Sequence, residues 1–150
     1  MLKSKWIFDI KRSGLFKVKL VACGYSQIPG VDFTESYAPV INDVSWCIFI
    51  IAMLVQKLEV KIIDVSTAFL YVDLEEDIYM KCEEVHGEDE ALHLLHAIYG
   101  LVQAARRFYL KFIEKLKKIG CKGGYPDPCL MCRRNENWIC FIAIWVDDSL

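Results

Sequence analysis

The strongest periodic pattern in the chain predicts an amphipathic helix over residues 104–119. Apolar side chains recur there at intervals of three and four residues, from Ala105 through Phe112 to Ile119, and basic side chains occupy another face. Gly120 follows, and glycine commonly ends helices. The pattern therefore indicates a helix that buries one face and stops at Gly120.

A second segment, residues 44–58, is hydrophobic on every side. Asn42 and Asp43 precede it, and both residue types favour the position just before the first helical turn. Because a helix without a polar face is typical of a protein core, we predict a core helix here. The longest uncharged apolar run, residues 44–55, is shorter than the roughly twenty residues that cross a membrane, which predicts no membrane partner.

Shorter patterns predict strands on both sides of these helices. Residues 5–40 mix short apolar pieces with turn signals, which indicates a β-rich first quarter. Residues 59–65 alternate and place Val60, Ile62 and Asp64 on one face of a strand. We expect the core to draw on all these elements and to contain Ile50, Leu54, Ile62, Phe108, Phe112, Ile142 and Ile144.

The apolar run over residues 138–146 predicts a buried strand that ends in Asp147 and Asp148. If this strand and the one leaving at Asp64 are neighbours, three carboxylates meet at one end of a sheet. Oxygen ligands suit Mg²⁺, or Mn²⁺, and two such ions can stabilise an in-line phosphoryl displacement. On spacing alone, a strand-end cap and a solvated turn explain the same residues.

Charge is unevenly distributed along the 150 residues, although the net charge is only −2. Residues 1–19 and 103–122 are basic and could face phosphates. Residues 73–90 are acidic, which predicts a solvated segment that would repel a phosphate backbone. The hydrophobic share of 55% excludes a disordered chain.

Eight short strings, in collinear order from about Lys5 to the last residue, carry a family resemblance. The chain resembles the reverse transcriptase of copia-type retrotransposons. The strings are Lys5-Trp6-Ile7-Phe8, Lys17-Val18-Lys19-Leu20-Val21-Ala22 with Gly24, residues 31–40, Asp64-Val65-Ser66-Thr67-Ala68-Phe69-Leu70, Asp77-Ile78-Tyr79-Met80, Tyr99-Gly100-Leu101-Val102-Gln103-Ala104, Asp127-Pro128-Cys129-Leu130 and Trp145-Val146-Asp147-Asp148.

The resemblance implies an α+β fold of the polymerase fingers-and-palm type, forming one reverse-transcriptase-like domain. Residues 1–58 would be fingers-like, and residues 59–150 a partial palm whose antiparallel sheet packs on helices. The chain would stop after the Asp-Asp turn, with thumb and RNase H outside it. We therefore expect these 150 residues alone to be inactive and poorly soluble, with an unpaired edge on the strand at 138–146.

The resemblance also implies RNA-directed DNA polymerase activity with Mg²⁺ (Mn²⁺ possible), dNTP and an RNA or DNA template–primer. Asp64, Asp147 and Asp148 would hold the metal with help from the Val65 carbonyl, and the primer 3′-hydroxyl would attack the α-phosphate of the dNTP. The rest of the retrotransposon polyprotein would be a partner, in a cytoplasmic virus-like particle or in the nucleus.

Four residues match nucleotide-binding positions of the family. Lys17 and Lys19 would grip the triphosphate, Phe69 would lie under the sugar and exclude a 2′-hydroxyl, and Gln103 would lie beside the dNTP. Read from the residues alone, Phe69 is equally a core aromatic and the lysines are a solvated strand face.

Nucleic acid would contact Trp145, Arg106 and Arg107, although a basic helix face can also simply be solvated. Trp145 stands where the family usually has Tyr, and Lys19 where it usually has Arg. These differences from the usual family residues, with others at Cys23, Cys47, Val72 and Ala105, favour a second interpretation of the chain. The chain would then be an inactive remnant that acts at most as a nucleic-acid-binding or interaction module.

Two pairs of residues have the spacing of zinc ligands, which suggests a different class of protein, a zinc-binding module. Cys129 and Cys132 are three residues apart, as are His93 and His96. Because Cys129 already belongs to one of the family strings, this alternative is the weaker one.

Overall fold

The computed structural model describes residues 1–82, 90–124 and 126–145. They form two compact units that alternate along the chain: Met1–Tyr37 with Thr67–Phe108, and Ala38–Ser66 with the residues from Tyr109 onward. The mixed α and β content with antiparallel pairing agrees with the predicted fold class. The assignment of residues 1–58 to fingers and 59–150 to palm stays a prediction.

The first unit is built on a four-stranded sheet of order β2-β1-β3-β4. Strands β1 (Leu2–Ile10) and β2 (Phe16–Ala22) form an antiparallel hairpin, which confirms the β-rich first quarter. Strand β3 (Tyr79–Lys81) runs parallel to β1, and β4 (Ala91–His93) pairs antiparallel with β3.

The core of this unit lies where the hairpin base meets the residues after the 3₁₀ turn Ala68–Tyr71. That turn buries Phe69, and Thr67 before it has a left-handed backbone with φ 54°, a rare conformation for a β-branched residue. The buried members are Leu2, Ala22, Phe69, Val72, Ile78, Met80, Ala97, Leu101 and Ala104, and Phe108 packs against them half-buried.

The second unit contains helix α1 (Asp43–Gln56) and an antiparallel sheet of order β5-β6-β7. Its strands are β5 (Lys122–Gly123), β6 (Leu130–Arg134) and β7 (Ile139–Ala143). Helix α2 (Ala104–Lys118) begins in the first unit and continues into the second from Tyr109.

Helix α2 confirms the prediction from periodicity. Tyr109 and Leu116 are buried in the second core with Phe112 packed against them. Gly120 has φ +88° and its N–H bonds the carbonyl of Lys117, while the Cys121 N–H bonds the carbonyl of Leu116. This left-handed glycine therefore ends the helix, as the sequence predicts.

Helix α1 confirms the helix predicted over residues 44–58, which begins one residue earlier and ends two residues earlier than predicted, but not its predicted burial. The Asn42 side chain caps it by accepting the Ser45 N–H at 2.8 Å. However, none of its fourteen residues is buried, and Leu54 is 72% exposed. The prediction of Leu54 as a core residue is wrong, because an all-round apolar sequence does not specify which neighbours cover it. Ile50 is half-buried.

Residues 59–65 form no strand, so the strand predicted there is wrong. A strand needs hydrogen bonds to a neighbour, and no strand in the described ranges pairs with this segment. Ile62 is 95% exposed, and its prediction as a core residue is also wrong. The alternation of apolar and polar residues in a segment therefore does not show whether a neighbouring strand is available to pair with it.

The strand predicted over residues 138–146 is present as β7, but its residues are exposed or half-buried rather than buried. Ile144, just after it, is buried and Ile142 is half-buried. In the part of the chain that the structure describes, β7 pairs only with β6 and forms one edge of its sheet. No described helix is long and apolar enough to cross a membrane.

Asp127 joins two elements of the second unit. Its side chain accepts the backbone and side-chain N–H groups of Asn42 at 3.0 and 2.7 Å, and the Cys129 N–H at 2.9 Å. Burial raises the pKa of Asp127, but these hydrogen bonds outweigh it and hold the pKa below its usual range. The ionised carboxylate therefore ties the cap of α1 to the residues before β6.

We expect Asp127→Ala to destabilise the protein by about 1–3 kcal/mol at pH 7, because it leaves the buried Cys129 N–H and the part-buried N–H groups of Asn42 without their acceptor. The lowered pKa means that the carboxylate stabilises the fold above its unfolded pKa. That contribution is lost as the pH falls below about 4. We would measure the unfolding free energy in urea from pH 7 to pH 3. It should fall less on acidification in the variant than in the wild type.

The exposed Asp9 provides the control, and Asp9→Ala should change the unfolding free energy by less than about 0.5 kcal/mol. Equal effects of the two substitutions would contradict the proposed link through Asp127.

Candidate functional site

The predicted metal residues are only partly within the described chain. Asp64 lies exposed in the irregular segment before the Ala68–Tyr71 turn, and Val65 is half-buried. Asp147 and Asp148 lie outside the described residues. Within those residues, no three His, Cys, Asp or Glu side chains are grouped so that they could hold a metal. The three-carboxylate site therefore stays a prediction.

The zinc alternative gains no support from the described ranges, which contain no such group of ligands. His93 Nε2 lies 3.2 Å from Asp77, and His96 Nδ1 lies 3.1 Å from Asp73. Burial and the charge of Asp127 raise the pKa of Cys129 to about 11, whereas a metal-binding thiol must ionise easily.

Two of the family strings touch through their glycines in the first unit. The Ala22 N–H bonds the Tyr99 carbonyl at 2.8 Å. A Cβ on Gly100, whose φ is +91°, would lie 2.1 Å from the Ala22 carbonyl oxygen, and one on Gly24 would lie 2.0 Å from the Gly100 carbonyl oxygen. Only glycine at both positions allows the backbones to approach this closely.

A buried amide network lies next to this contact. Gln103 is 1% exposed, and its Oε1 accepts a hydrogen bond from Gln27 Nε2 at 3.0 Å. Its Nε2 donates to the Asp32 carbonyl at 3.1 Å, and Gln27 Oε1 accepts the Val102 N–H at 2.8 Å. The predicted nucleotide residue Gln103 is thus held by two other segments of the same unit.

Phe69 occupies the core position that the sequence left as its alternative. Its ring meets Tyr99 edge-on at 4.8 Å between centroids, and Phe108 at 6.2 Å. It is 3% exposed. These contacts are those of a core aromatic, and a contact between Phe69 and a nucleotide sugar stays a prediction.

The predicted triphosphate lysines lie on one face of β2. Lys19 Nζ lies 4.0 Å from the centroid of the Tyr99 ring, a cation–π contact. Lys17 pairs in register with Asp9 of β1. Both lysines are half-buried, so neither belongs to a fully solvated strand face.

Arg106 and Arg107 form ion pairs within the first unit. Arg106 pairs with Glu35 and donates to the Tyr37 carbonyl at 2.9 Å. Arg107 contacts Glu75 at 2.7 Å and Glu76 at 3.1 Å. Both guanidinium groups already have acidic partners, and their contact with nucleic acid stays a prediction.

Of the acidic segment predicted over residues 73–90, residues 83–89 lie outside the described chain; at its start, Asp73, Glu75 and Asp77 have exposed side chains, as predicted, whereas Glu76 is half-buried. Each of these four carboxylates lies within ion-pair distance of a basic side chain, namely Asp73 with His96, Glu75 and Glu76 with Arg107, and Asp77 with His93. Leu74 between them packs on the core. The charge of these carboxylates therefore acts locally, on the first turn of α2 and on the residues around β4.

Trp145 belongs to the second unit and is 55% exposed. Its ring lies edge-on to Trp46 of α1, with centroids 6.5 Å apart. This contact makes Trp145 part of an aromatic group with Trp46 and Phe49. Its role in binding a primer stays a prediction.

Sequence reasoning missed Gln27 and the pairing of Glu35 with Arg106. Gln27 follows a short 3₁₀ turn, Gly24–Ser26, in a region whose only visible signals are turns. Glu35 and Arg106 are 71 positions apart, so no local pattern connects them. The available signal was that both belong to or adjoin family strings.

Comparisons with known proteins agree on one family. A family profile described as "Reverse transcriptase (RNA-dependent DNA polymerase)" matches residues 1–150. The chain is 38% identical over 99% of its length to the retrovirus-related Pol polyprotein from transposon TNT 1-94 of Nicotiana tabacum. It is 31% identical over 97% of its length to those from transposons RE2 and RE1 of Arabidopsis thaliana.

The chain covers only 11–12% of the length of these polyproteins. No solved structure matches it. The comparisons therefore concern one segment of much longer relatives.

The ion pair of Arg106 with Glu35 predicts energetic coupling between the two side chains. In a double-mutant cycle with Arg106→Ala and Glu35→Ala, we expect about 0.5–1 kcal/mol of coupling in the unfolding free energy. The matched cycle of Glu35→Ala with Arg107→Ala should be additive within about 0.3 kcal/mol, since Arg107 pairs with other carboxylates. Coupling of equal size in both cycles would contradict the pairing.

Proposed function

Because the chain belongs to the reverse transcriptase family, we propose that it is the catalytic segment of an RNA-directed DNA polymerase. The reaction would extend a primer 3′-hydroxyl with dNTP on an RNA template. The observation that carries this proposal is the family match over residues 1–150, and the contact between two family strings at Gly24 and Gly100 supports it.

The β1–β2 hairpin supports binding of a phosphate-containing ligand. Its residue pairing places Lys17 and Lys19 on one face of β2, while Phe8 and Phe16, 74% and 83% exposed, belong to the other. Cationic side chains attract phosphates, and exposed aromatic rings can stack on bases. We infer that this hairpin, as part of a fingers-like portion, contacts dNTP and template.

Gln103 is proposed to contact the dNTP next to this hairpin. The hydrogen bonds to Gln27 and Asp32 use one acceptor site and one N–H of its amide, and an amide has two of each. Phe69 is proposed to act mainly by supporting Tyr99, whose ring lies under Lys19. We also propose that Phe69 excludes a 2′-hydroxyl on the incoming nucleotide.

Asp64, Asp147 and Asp148, with the Val65 carbonyl, are proposed to hold Mg²⁺ or Mn²⁺. Of the three carboxylates, only Asp64 lies within the described ranges, and its exposed side chain offers the hard oxygen ligands that these cations prefer. Bound there, the metal would offset negative charge on the dNTP phosphates.

The longer polyprotein is the proposed context of this activity, since the Pol relatives extend far beyond the matched segment. We propose that thumb, RNase H and the rest of that polyprotein complete the enzyme, in a cytoplasmic virus-like particle or in the nucleus. An inactive nucleic-acid-binding remnant is the second candidate. The basic residues of α2 from Arg106 to Lys118 favour it, although Arg106, Arg107 and Lys118 pair with glutamates and Lys111 also has an interaction partner.

Primer extension on an RNA template separates the two candidates. A version continued through the thumb should extend primers with Mg²⁺ and stop in EDTA, whereas a remnant should only bind, in a salt-dependent and EDTA-resistant way. Extension that survives Asp64→Asn would overturn the assignment of Asp64.

For the chain itself, we expect dNTP with Mg²⁺ to raise the melting temperature. At a ligand concentration a hundred times Kd, binding stabilises the folded state by about 2.7 kcal/mol. Asp64→Asn should abolish this shift because it removes a metal-binding charge, and EDTA should do the same. Asp43→Asn, at an exposed position at the start of α1, should keep the shift. An unchanged shift in Asp64→Asn would mean that the metal binds elsewhere.

A further inference from the structure

Gln27 is a buried polar side chain outside the motifs that carry the family resemblance. It is 8% exposed, and both ends of its amide have partners in the two residues just before α2. Its Oε1 accepts the Val102 N–H at 2.8 Å, and its Nε2 donates to Gln103 Oε1 at 3.0 Å. Because the backbone N–H can only donate, this arrangement fixes which end of the Gln27 amide faces Gln103.

The orientation of the Gln103 amide follows from that of Gln27. Gln103 Oε1 must face the Gln27 donor, so Gln103 Nε2 faces the Asp32 carbonyl, which accepts it at 3.1 Å. Turning the Gln103 amide over would set two donors and two acceptors against each other inside a buried site. Gly24 adds tight packing, since a Cβ there would lie 3.1 Å from Gln27 Oε1.

We propose that Gln27 is a positioning residue for nucleotide binding: it holds the Gln103 amide in the one orientation that presents it to the dNTP. This inference rests on the proposed function of Gln103 as a dNTP contact. Gln27 itself would not touch the nucleotide, because its amide is directed at Val102 and Gln103. Its contribution should therefore disappear when Gln103 is removed.

The test is dNTP affinity of the 150-residue chain with Mg²⁺, measured by calorimetric titration at a temperature where each variant is folded. Gln27→Leu should weaken dNTP binding about fivefold, the effect of one lost side-chain hydrogen bond. Gln103→Leu should weaken it at least as much, and the double variant should bind like Gln103→Leu alone. Gln56→Leu, at an exposed glutamine in α1, is the matched control and should bind like the wild type.

Gln27→Glu gives a readout that a purely structural role would not produce. A protonated carboxyl keeps both the acceptor for Val102 and a donor for Gln103, whereas a carboxylate cannot donate. The ratio of variant to wild-type affinity should therefore be close to one at pH 5 and fall about fivefold as the pH rises to 8. Burial raises the pKa of such a carboxyl, which brings the change into this range.

The outcomes separate this proposal from the proposed function. If the wild type binds dNTP but Gln27→Leu only lowers the melting temperature, with affinity within twofold, Gln27 is structural and the proposal is wrong. Additive losses in the double variant would also overturn it. If the wild-type chain binds no dNTP with Mg²⁺, the proposed role of Gln103 fails first, and the role of Gln27 fails with it.

Discussion

The arrangement of the first unit depends on the close approach of two backbones at Gly24 and Gly100. Any side chain at either glycine would overlap a carbonyl oxygen of the other segment. This approach brings the residues after β2 against the residues just before α2, where Gln27 and Gln103 are buried. Their amides must then bond each other and the nearby backbone, because an unsatisfied buried amide costs about 1–3 kcal/mol. The close packing at Gly24 and Gly100 thus helps to fix the orientation of the Gln103 amide, a proposed site residue.

The residues at the start of α2, together with Gln103 just before it, also determine which charged and polar groups meet in the first unit. Gln103, Arg106 and Arg107 contact three different segments, which contain Asp32 to Tyr37, Gln27, and Glu75 with Glu76. Burial lowers the pKa of Arg107, but the two glutamates outweigh it and raise the pKa, so this residue stays cationic. The acidic and basic stretches that are separate in the sequence therefore meet in the fold, where Arg107 pairs with Glu75 and Glu76.

The sequence predicts local features better than it predicts their neighbours. The helical period of α2, its end at Gly120 and the Asn42 cap of α1 all depend on residues that are close together in the sequence. Burial of α1 and pairing of residues 59–65 depend on partners distant in sequence, and there the predictions for Leu54 and Ile62 are wrong. The site shows the same limit. The family strings identify Gln103 and Phe69 as candidate site residues. Only the structure shows that Gln27 hydrogen-bonds Gln103 and that the rings of Tyr99 and Phe108 contact Phe69.

The alternation of the two units along the chain has a consequence for how the protein is made. Residues Ala38–Ser66 leave the ribosome between the two parts of the first unit, yet their own partners begin only at Tyr109. Helix α1, rich in apolar side chains, is therefore synthesised before the residues of its own unit that begin at Tyr109. Neither unit corresponds to a continuous stretch of the gene, so a recombination breakpoint between residues 38 and 108 would divide both units at once.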